Sequence, residues 1–164
     1  MCRGKRGKGQ ALIEFALVLP LLLLLIFNLV NFGAFIYAWI TVANAARAAA
    51  QYAIMGPVWV DSPTPPDPAT AAALAVNDAW WLPNRASLQV GVCRNNNGVL
   101  EPAGCGGTWG MPSDPEAGLY VSAAVDVSYT YQPLIPVWSF PSLGIHLTIP
   151  PTTMHMRTMM RMVQ

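Results

Sequence analysis

Apolar residues dominate the first third of the chain. From Phe15 to Ile40 the main polar interruptions are Asn28 and Asn31. About 20 apolar residues are enough to cross a bilayer as an α-helix. An alanine-rich stretch follows without a helix breaker, so the pattern predicts one helix over residues 10–54, kinked or loosened at Pro20. At about 1.5 Å per residue this helix would be nearly 70 Å long, which exceeds a single bilayer crossing.

A linker and a short helix are predicted next. Residues 55–68 contain five prolines, which prevent regular structure. Asp67 and Pro68 suit the N-cap and the first position of a helix, which we predict to continue to Ala79 or Trp81.

Alternating apolar and polar residues predict strands in the second half of the chain. One strand is predicted at 88–93, and a loop rich in asparagine and glycine follows over 94–118. The clearest strand is predicted over 119–132, with its odd-numbered residues on one face. Residues 133–141 are apolar but broken by proline, which predicts a loop. A last strand is predicted within 145–157, where a proline pair forces a bend or an edge position.

Together these elements predict an α+β fold. A long N-terminal transmembrane helix extends beyond the bilayer and packs on a small antiparallel sheet of about three strands, with one short additional helix. Four alanines share one helical face and would allow close packing on the sheet: Ala43, Ala46, Ala50 and Ala53. The predicted divisions are a leader (1–9), the long helix (10–54), a linker (55–68) and an α+β domain (69–164).

Charged residues are scarce and unevenly placed. They make up 10% of the chain, against about 25% in a typical soluble domain. Four cations precede the apolar run: Arg3, Lys5, Arg6 and Lys8. No comparable cluster follows Ile40, so the positive-inside tendency places the N-terminus in the cytoplasm and the rest of the chain outside it. The absence of a basic patch also argues against nucleic acid as a partner.

Glu14 is a single carboxylate at the start of the apolar helix. An ionisable group in such a segment costs roughly 2.5 kcal/mol or more on insertion, which makes Glu14 a candidate functional residue. It lies five residues after Gly9, which ends the basic leader. This arrangement resembles the site at which prepilin peptidases cut type IV-like prepilins, here between Gly9 and Gln10.

The segment resembles one family more specifically, the TadE-like proteins of tight-adherence pilus systems. The residues that carry the resemblance are Gly9-Gln-Ala-Leu-Ile-Glu-Phe-Ala-Leu-Val-Leu-Pro20, Thr41-Val-Ala-Asn-Ala-Ala-Arg47 and Tyr52-Ala53. The resemblance covers Gly9 to Ala53 and is loose beyond it. It implies a minor pilin or pseudopilin that acts in assembly of Flp-type pili by subunit packing, and not an enzyme.

The resemblance also implies a location and partners. The chain would cross the bacterial inner membrane once, with its C-terminal domain in the periplasm; whether it also enters a surface pilus stays open. Its partners would be a prepilin peptidase, other pilus subunits and the inner-membrane assembly platform. Glu14 could pair with the freed amine of Gln10 on a neighbouring chain, or it could be a hydrated carboxylate without a partner.

Two other interpretations remain open at this point. A membrane-anchored periplasmic binding or adhesion module would keep the leader and expose its tryptophans. A secreted soluble domain would lose everything up to about Ala38. Within the apolar helix, Asn28 and Asn31 could belong to a helix–helix seam with small residues or could simply be tolerated.

The cysteines suit an exported protein. Cys93 and Cys105 fit an oxidising compartment, and we expect them to form a disulfide worth ~3 kcal/mol, while Cys2 would stay reduced in the leader. Neither they nor His146 and His155 match a zinc-binding spacing, so no metal and no cofactor are expected. No catalytic motif is found. We expect the tryptophans to pack in the core, and the C-terminal methionines to complete a core or a subunit contact.

Overall fold

The computed structural model describes residues 7–55, 67–96, 98–103, 105, 120–135, 139–140 and 145–163. Most of the predicted linker at 55–68 and much of the predicted loop at 94–118 lie outside these residues. The chain divides into two units. One consists of Met1–Ile36 and Pro133–Pro151, and the other of Tyr37–Gln132 and Thr152–Gln164.

A single helix, α1, spans Gly7–Ile54. It ends where the sequence predicts and begins three residues earlier than the predicted start at Gln10. The helix continues through Pro20, so the missing proline N–H does not end it there.

The second helix, α2, spans Pro68–Asp78. The Asp67 side chain accepts a hydrogen bond from the backbone N–H of Ala69 at 3.2 Å, and Pro68 occupies the first helical position. These contacts confirm the predicted helix start. The buried face of α2 is formed by alanines, Ala71 and Ala75.

The sheet has four antiparallel strands, one more than the approximate number predicted. They are β1 (Gln89–Asn96), β2 (Val99–Glu101), β3 (Tyr120–Tyr131) and β6 (Thr152–Val163), in the order β2-β1-β3-β6. A separate pair consists of β4 (Ser139–Phe140) and β5 (Ile145–His146). The α+β class is therefore confirmed.

Two of the sequence predictions for strands are wrong in part. Residues 94–96 belong to β1 and pair with β2, where the sequence predicted only loop. The turn between them uses Gly98 at a φ of 88°, and its N–H donates to the Asn95 side chain at 2.9 Å. The last strand, β6, starts after the proline pair and continues to Val163, beyond the predicted end at residue 157.

The core of the second unit lies between one face of the sheet and the C-terminal part of α1. The odd-numbered residues of β3 from 121 to 131 are all buried, as the sequence pattern predicts. The buried residues of α1 in this unit are mostly small: Ala38, Val42, Ala45, Ala46, Ala49, Ala50 and Ala53. Three of the four predicted alanines are therefore buried, and Ala43 is half-buried. Small side chains allow the helix backbone to approach the sheet closely.

The other face of the sheet is more polar. Asp126 on β3 and Arg157 on β6 form an ion pair at 3.5 Å, and the hydroxyls of Thr130 and Thr153 lie 3.1 Å apart. The inner face also holds an ion pair: Arg94, which lies opposite Ala123 and is 3% exposed, pairs with Glu101 on the neighbouring strand. Because its partner is the cross-strand neighbour, the buried guanidinium fixes the register of β1 and β2.

Candidate functional site

The first turns of α1 contain the residues that the sequence predicts for processing and assembly. Gly9, Gln10 and Glu14 are all exposed. The Gln10 amide Nε2 donates a hydrogen bond to Glu14 Oε1 at 3.1 Å, one helical turn away. The structure thus brings Gln10 and Glu14 together on one side of the helix, close to the Gly9–Gln10 bond.

This end of α1 is locally weak for two reasons. The first four N–H groups of a helix have no partner within it, and each glycine costs about 1 kcal/mol relative to alanine. Gly7 and Gly9 both lie in this first turn. A Cβ added to Gly9 would meet nothing within 4 Å, so this position lies in open space.

The surface of α1 next to this turn is apolar and open. Residues 9–26 are all exposed, although most of them are large hydrophobic side chains. Among the described residues, Gly9–Ile54 is the one helix long and apolar enough to cross a membrane. Its most apolar stretch is not buried by the protein at all, which suggests a membrane anchor.

Two asparagines of α1 bond to a distant part of the chain in the same unit. The Asn31 side chain donates to the backbone C=O of Ile135 at 2.9 Å and accepts from its N–H at 3.0 Å. The Asn28 amide donates to the C=O of Leu147 at 2.9 Å and to that of Leu24 at the same distance. Both residues therefore have distant partners, Asn31 at the backbone of Ile135 and Asn28 at that of Leu147.

These long-range asparagine contacts are a structural feature that the sequence analysis missed. The sequence shows two amides in an apolar helix, which indicates that each needs a partner. It does not show which part of the chain supplies that partner, because Ile135 and Leu147 are more than a hundred residues away.

Cys93 and Cys105 form a disulfide, with their Cα atoms 5.6 Å apart, as predicted. Cys93 lies on β1 and is fully buried, and Cys105 lies beyond the end of β2. The bond therefore ties the chain after β2 back to the middle of β1. Cys2 lies outside the described residues.

The predicted burial of the tryptophans is wrong for Trp80 and Trp81. They are 55% and 63% exposed and stack on each other with ring centroids 3.7 Å apart. They follow the end of α2, where the buried positions are already filled by alanines and Leu82. Trp109 and Trp138 lie outside the described residues. Among the C-terminal methionines, Met154 is buried, Met156 and Met160 are half-buried and Met159 is exposed.

The cavities offer little for chemistry. One of about 580 Å³ lies between the start of α2 and β1, near Asp67, Ala72, Val92 and Cys105. A second, of about 350 Å³, lies on the polar sheet face near Gln89, Asp126, Ser128 and His155. Within the described part of the chain, no group of three or more His, Cys, Asp or Glu side chains is placed to hold a metal ion. The two cysteines form a disulfide and have no free thiolate to offer.

Burial changes the acid–base behaviour of two tyrosines in the core. Desolvation raises the pKa of Tyr129 above 10.0. The pKa of Tyr131 is raised by the same cause and by the nearby Tyr129. Both phenols belong to the inner face of β3, so their role is in folding.

Comparison with known protein families gives a match that falls within α1. The family model described as TadE-like protein matches residues 9–51. No curated protein and no solved structure matches the chain. The match begins at Gly9 and ends three residues before the end of α1. The resemblance to the TadE-like family, which suggests a protein associated with Tad pili, is therefore confirmed over the long N-terminal helix.

Proposed function

We propose that this protein is a minor pilin or pseudopilin that acts in the assembly of tight-adherence (Flp-type) pili by subunit packing. A prepilin peptidase cuts it between Gly9 and Gln10 and leaves α1 in the mature chain. The observation that carries this proposal is that the family match begins at Gly9, the residue before the proposed cut.

The proposed location follows from the distribution of charge. Residues 1–9 form a basic cytoplasmic leader, and α1 crosses the bacterial inner membrane once. The divisions at 10–54, 55–68 and 69–164 are retained, with the last of them in the periplasm. The Cys93–Cys105 bond supports export, because disulfides persist in oxidising compartments. The partners are the peptidase, the other pilus subunits and the inner-membrane assembly platform.

Glu14 has a direct role in this scheme. Cleavage converts the Gln10 backbone N–H into a charged amine, one helical turn from the carboxylate. Opposite charges attract strongly where water is excluded, and an unpaired charge there is costly. When subunits pack, the Gln10 amine of one subunit is therefore stabilised next to the Glu14 carboxylate of its neighbour.

The experiment is to express the chain with a prepilin peptidase and to measure its intact mass. The wild-type chain should lose residues 1–9. Gly9→Val should remain uncut, because the added side chain occupies the space that the peptidase needs at the bond. Gly33→Val is the matched control, because Gly33 lies in the same helix and an added Cβ also meets nothing within 4 Å. Its mass should show normal cleavage.

Two results would contradict the proposal. A wild-type chain that still begins at Met1 in the presence of active peptidase would leave the anchored module as the better interpretation. A chain that begins after about Ala38 would identify a secreted soluble domain.

A second candidate function is supported by one observation, the exposed pair Trp80 and Trp81. Stacked exposed aromatics suit an adhesive surface on a membrane-anchored periplasmic module. For such a module, Trp80→Ala with Trp81→Ala should abolish surface binding. Loss of the whole chain should leave piliation unchanged. If the chain acts in pilus assembly, its loss should instead reduce or abolish piliation.

A further inference from the structure

We infer that Trp80 and Trp81 (the Trp pair) of one chain insert into the cavity between the start of α2 and β1 (the α2 cavity) of a second copy of the same chain. This inference rests on the proposed role in subunit packing. It names the surfaces through which the second units of neighbouring chains contact each other.

The Trp pair projects from the end of α2 and is held in place on both sides. Ala79 and Leu82, which flank the pair, are buried, whereas both indole rings are more than half exposed. The backbone N–H of Trp80 donates to the C=O of Asn77 at 3.2 Å. The N–H of Leu82 donates to the C=O of Ala79 at 3.1 Å. Side chains that are already fixed lose little conformational entropy on binding, so the pair is preorganised for a partner.

The shape of the Trp pair suits a concave partner. The two rings stack with their centroids 3.7 Å apart and an angle of 34° between their planes. Because the inner faces cover each other, the outer faces and the ring edges are what a partner can contact. The pair therefore forms a projecting wedge of exposed apolar surface, and such surfaces mark interaction sites.

The α2 cavity is open and large enough for this wedge. It has a volume of about 580 Å³ and opens to the surface. Its apolar lining residues are Ala69, Ala72, Val90, Val92 and Pro102. Cavities of about 300–1,000 Å³ accommodate drug-sized ligands, and an indole ring is smaller than such a ligand. The cavity can therefore hold at least one of the two indole rings of a neighbour.

The Trp pair and the cavity lie at opposite ends of α2 in the same chain. Pro68 and Ala69, in the first turn of the helix, border the cavity, and the pair follows its last residue, Asp78. The 11 residues of α2 separate the two surfaces by about 16 Å, at about 1.5 Å per residue. The pair cannot reach the cavity of its own chain, so a second chain must supply it.

Charge supports the same arrangement. Arg85, which follows the Trp pair along the chain, is exposed, and Asp67, which borders the cavity, is also exposed. The guanidinium of one chain can therefore meet the carboxylate of the next. Asp78 is exposed at the Trp end as well, so the charge match is partial. Exposed ion pairs contribute little, and burial of the indole rings carries most of the contact.

A contact of this kind has a direction. Each chain offers one Trp pair and one cavity at different places, so the interface is heterologous and continues from chain to chain. Each tryptophan buries about 150–250 Å², so the pair gives less than the ~800 Å² per partner of a standard interface. The contact is therefore weak between free chains and depends on α1 holding the chains side by side in one membrane.

The experiment measures resonance energy transfer between full, uncut chains in phospholipid vesicles. Each chain is labelled at Cys2 with a donor or an acceptor, while the Cys93–Cys105 bond stays intact. Trp80→Ala with Trp81→Ala removes the pair and keeps the cavity, and Ala69→Phe fills the cavity and keeps the pair. Ala73→Phe is the matched control, because Ala73 is exposed on the same helix away from the described cavity lining.

Wild-type chains and Ala73→Phe chains should show equal energy transfer. Each of the other two variants, mixed only with itself, should fall to the level of chance encounters, which is measured by adding excess lipid. The two variants mixed with each other should recover transfer, because the mixture again contains an intact Trp pair and an intact cavity. This recovery also shows that both variants fold.

Four results would overturn the inference. Chance-level transfer between wild-type chains shows that they do not associate. Wild-type transfer in both variants shows that the chains associate through α1 alone. Loss of transfer in the Trp variant, with Ala69→Phe unaffected, assigns the pair to another surface. A mixture that does not recover, although both variants keep the wild-type unfolding midpoint, also excludes the contact.

A second cavity variant covers the case in which Ala69→Phe lowers the unfolding midpoint. Ala72→Leu, at a half-buried position of the cavity lining, then has to give the same loss and the same recovery. The assay does not use the peptidase. Normal removal of residues 1–9 in the cleavage experiment therefore leaves the proposed pilin role intact even if this contact is refuted.

Discussion

The side-chain amide of Gln10 and the carboxylate of Glu14 are joined by a hydrogen bond of 3.1 Å across one turn of α1. The residue that would become the new N-terminus therefore already lies beside the acid that we propose for assembly. Within a free subunit this bond gives the carboxylate a local partner. A neighbouring subunit must offer a stronger one, and a charged amine does so.

We predict that Glu14→Leu inserts into the membrane at least as well as wild type but abolishes surface pili. Removing the carboxylate lowers the cost of insertion and also removes the charge that meets a neighbour's amine. Glu14→Asp should assemble less well than wild type, because its side chain is shorter. Gln10→Leu is the control, since it removes the local hydrogen bond and keeps both charges. Normal piliation by Glu14→Leu at wild-type protein level would exclude an assembly role for this residue.

Breaking the disulfide should destabilise the second unit. Cys93→Ser with Cys105→Ser removes a constraint on a short loop, and the expected loss is ~2–5 kcal/mol in free energy of unfolding. Cys2→Ser, in the leader, should change nothing. The measurement is denaturant unfolding in detergent, with thiol labelling of the native protein beforehand. Labelling of both Cys93 and Cys105 in native wild-type protein would show that no bond forms.

The alanine surface of α1 should not accept larger side chains. Ala50 is fully buried and Gln51, next to it, is exposed. Ala50→Leu should cost about 1–3 kcal/mol, because the extra atoms push the helix away from the sheet. Gln51→Leu should change stability by about 0.5 kcal/mol or less. Equal unfolding midpoints for the two variants would show that the helix does not pack on the sheet.

Stability should fall at alkaline pH because of Tyr129 and Tyr131. Their pKa values are raised above 10.0 in the folded protein, chiefly by desolvation. The stabilisation is complete below the unfolded pKa and is lost as pH rises through the folded values, since the unfolded chain then releases protons first. Thermal unfolding between about pH 8 and 11 should show this fall, given the ordinary tyrosine pKa of about 10.

The matching variants separate this effect from general alkaline damage. Tyr129→Phe with Tyr131→Phe should flatten the pH dependence, and Tyr37→Phe, at an exposed position of α1, should leave it as in wild type. A double variant that loses as much stability as wild type over the same range would assign the effect to other groups.

Local chemistry was enough to predict the helices and the central strand. The Asp67 cap, the proline at the first position of α2 and the alternation along β3 all act over a few residues, so they can be recognised in sequence. The β1–β2 hairpin was missed although Asn97-Gly98 is a strong hairpin signal. The surrounding asparagines and glycines made the whole stretch resemble a loop.

Other features depend on contacts between residues that are far apart in the sequence, and these could not be predicted. The partner of Asn31 is a backbone group whose position is set by everything between residues 31 and 135. The exposure of Trp80 and Trp81 depends on alanines filling the buried face of α2 first. An aromatic residue usually belongs in a core, and here the small residues occupy it.

The pairing of β3 with β6 also determines when the second unit can fold. Every residue of β3 from Tyr120 to Tyr131 has a partner in β6, from Val163 back to Thr152. A chain still on the ribosome therefore holds a central strand with one open edge. Because α1 is synthesised before the strands, its alanine face has no sheet to pack on until the strands have been made. This unit therefore cannot complete its sheet before residues 152–163 have left the ribosome, and a chain that lacks them leaves one edge of β3 unpaired.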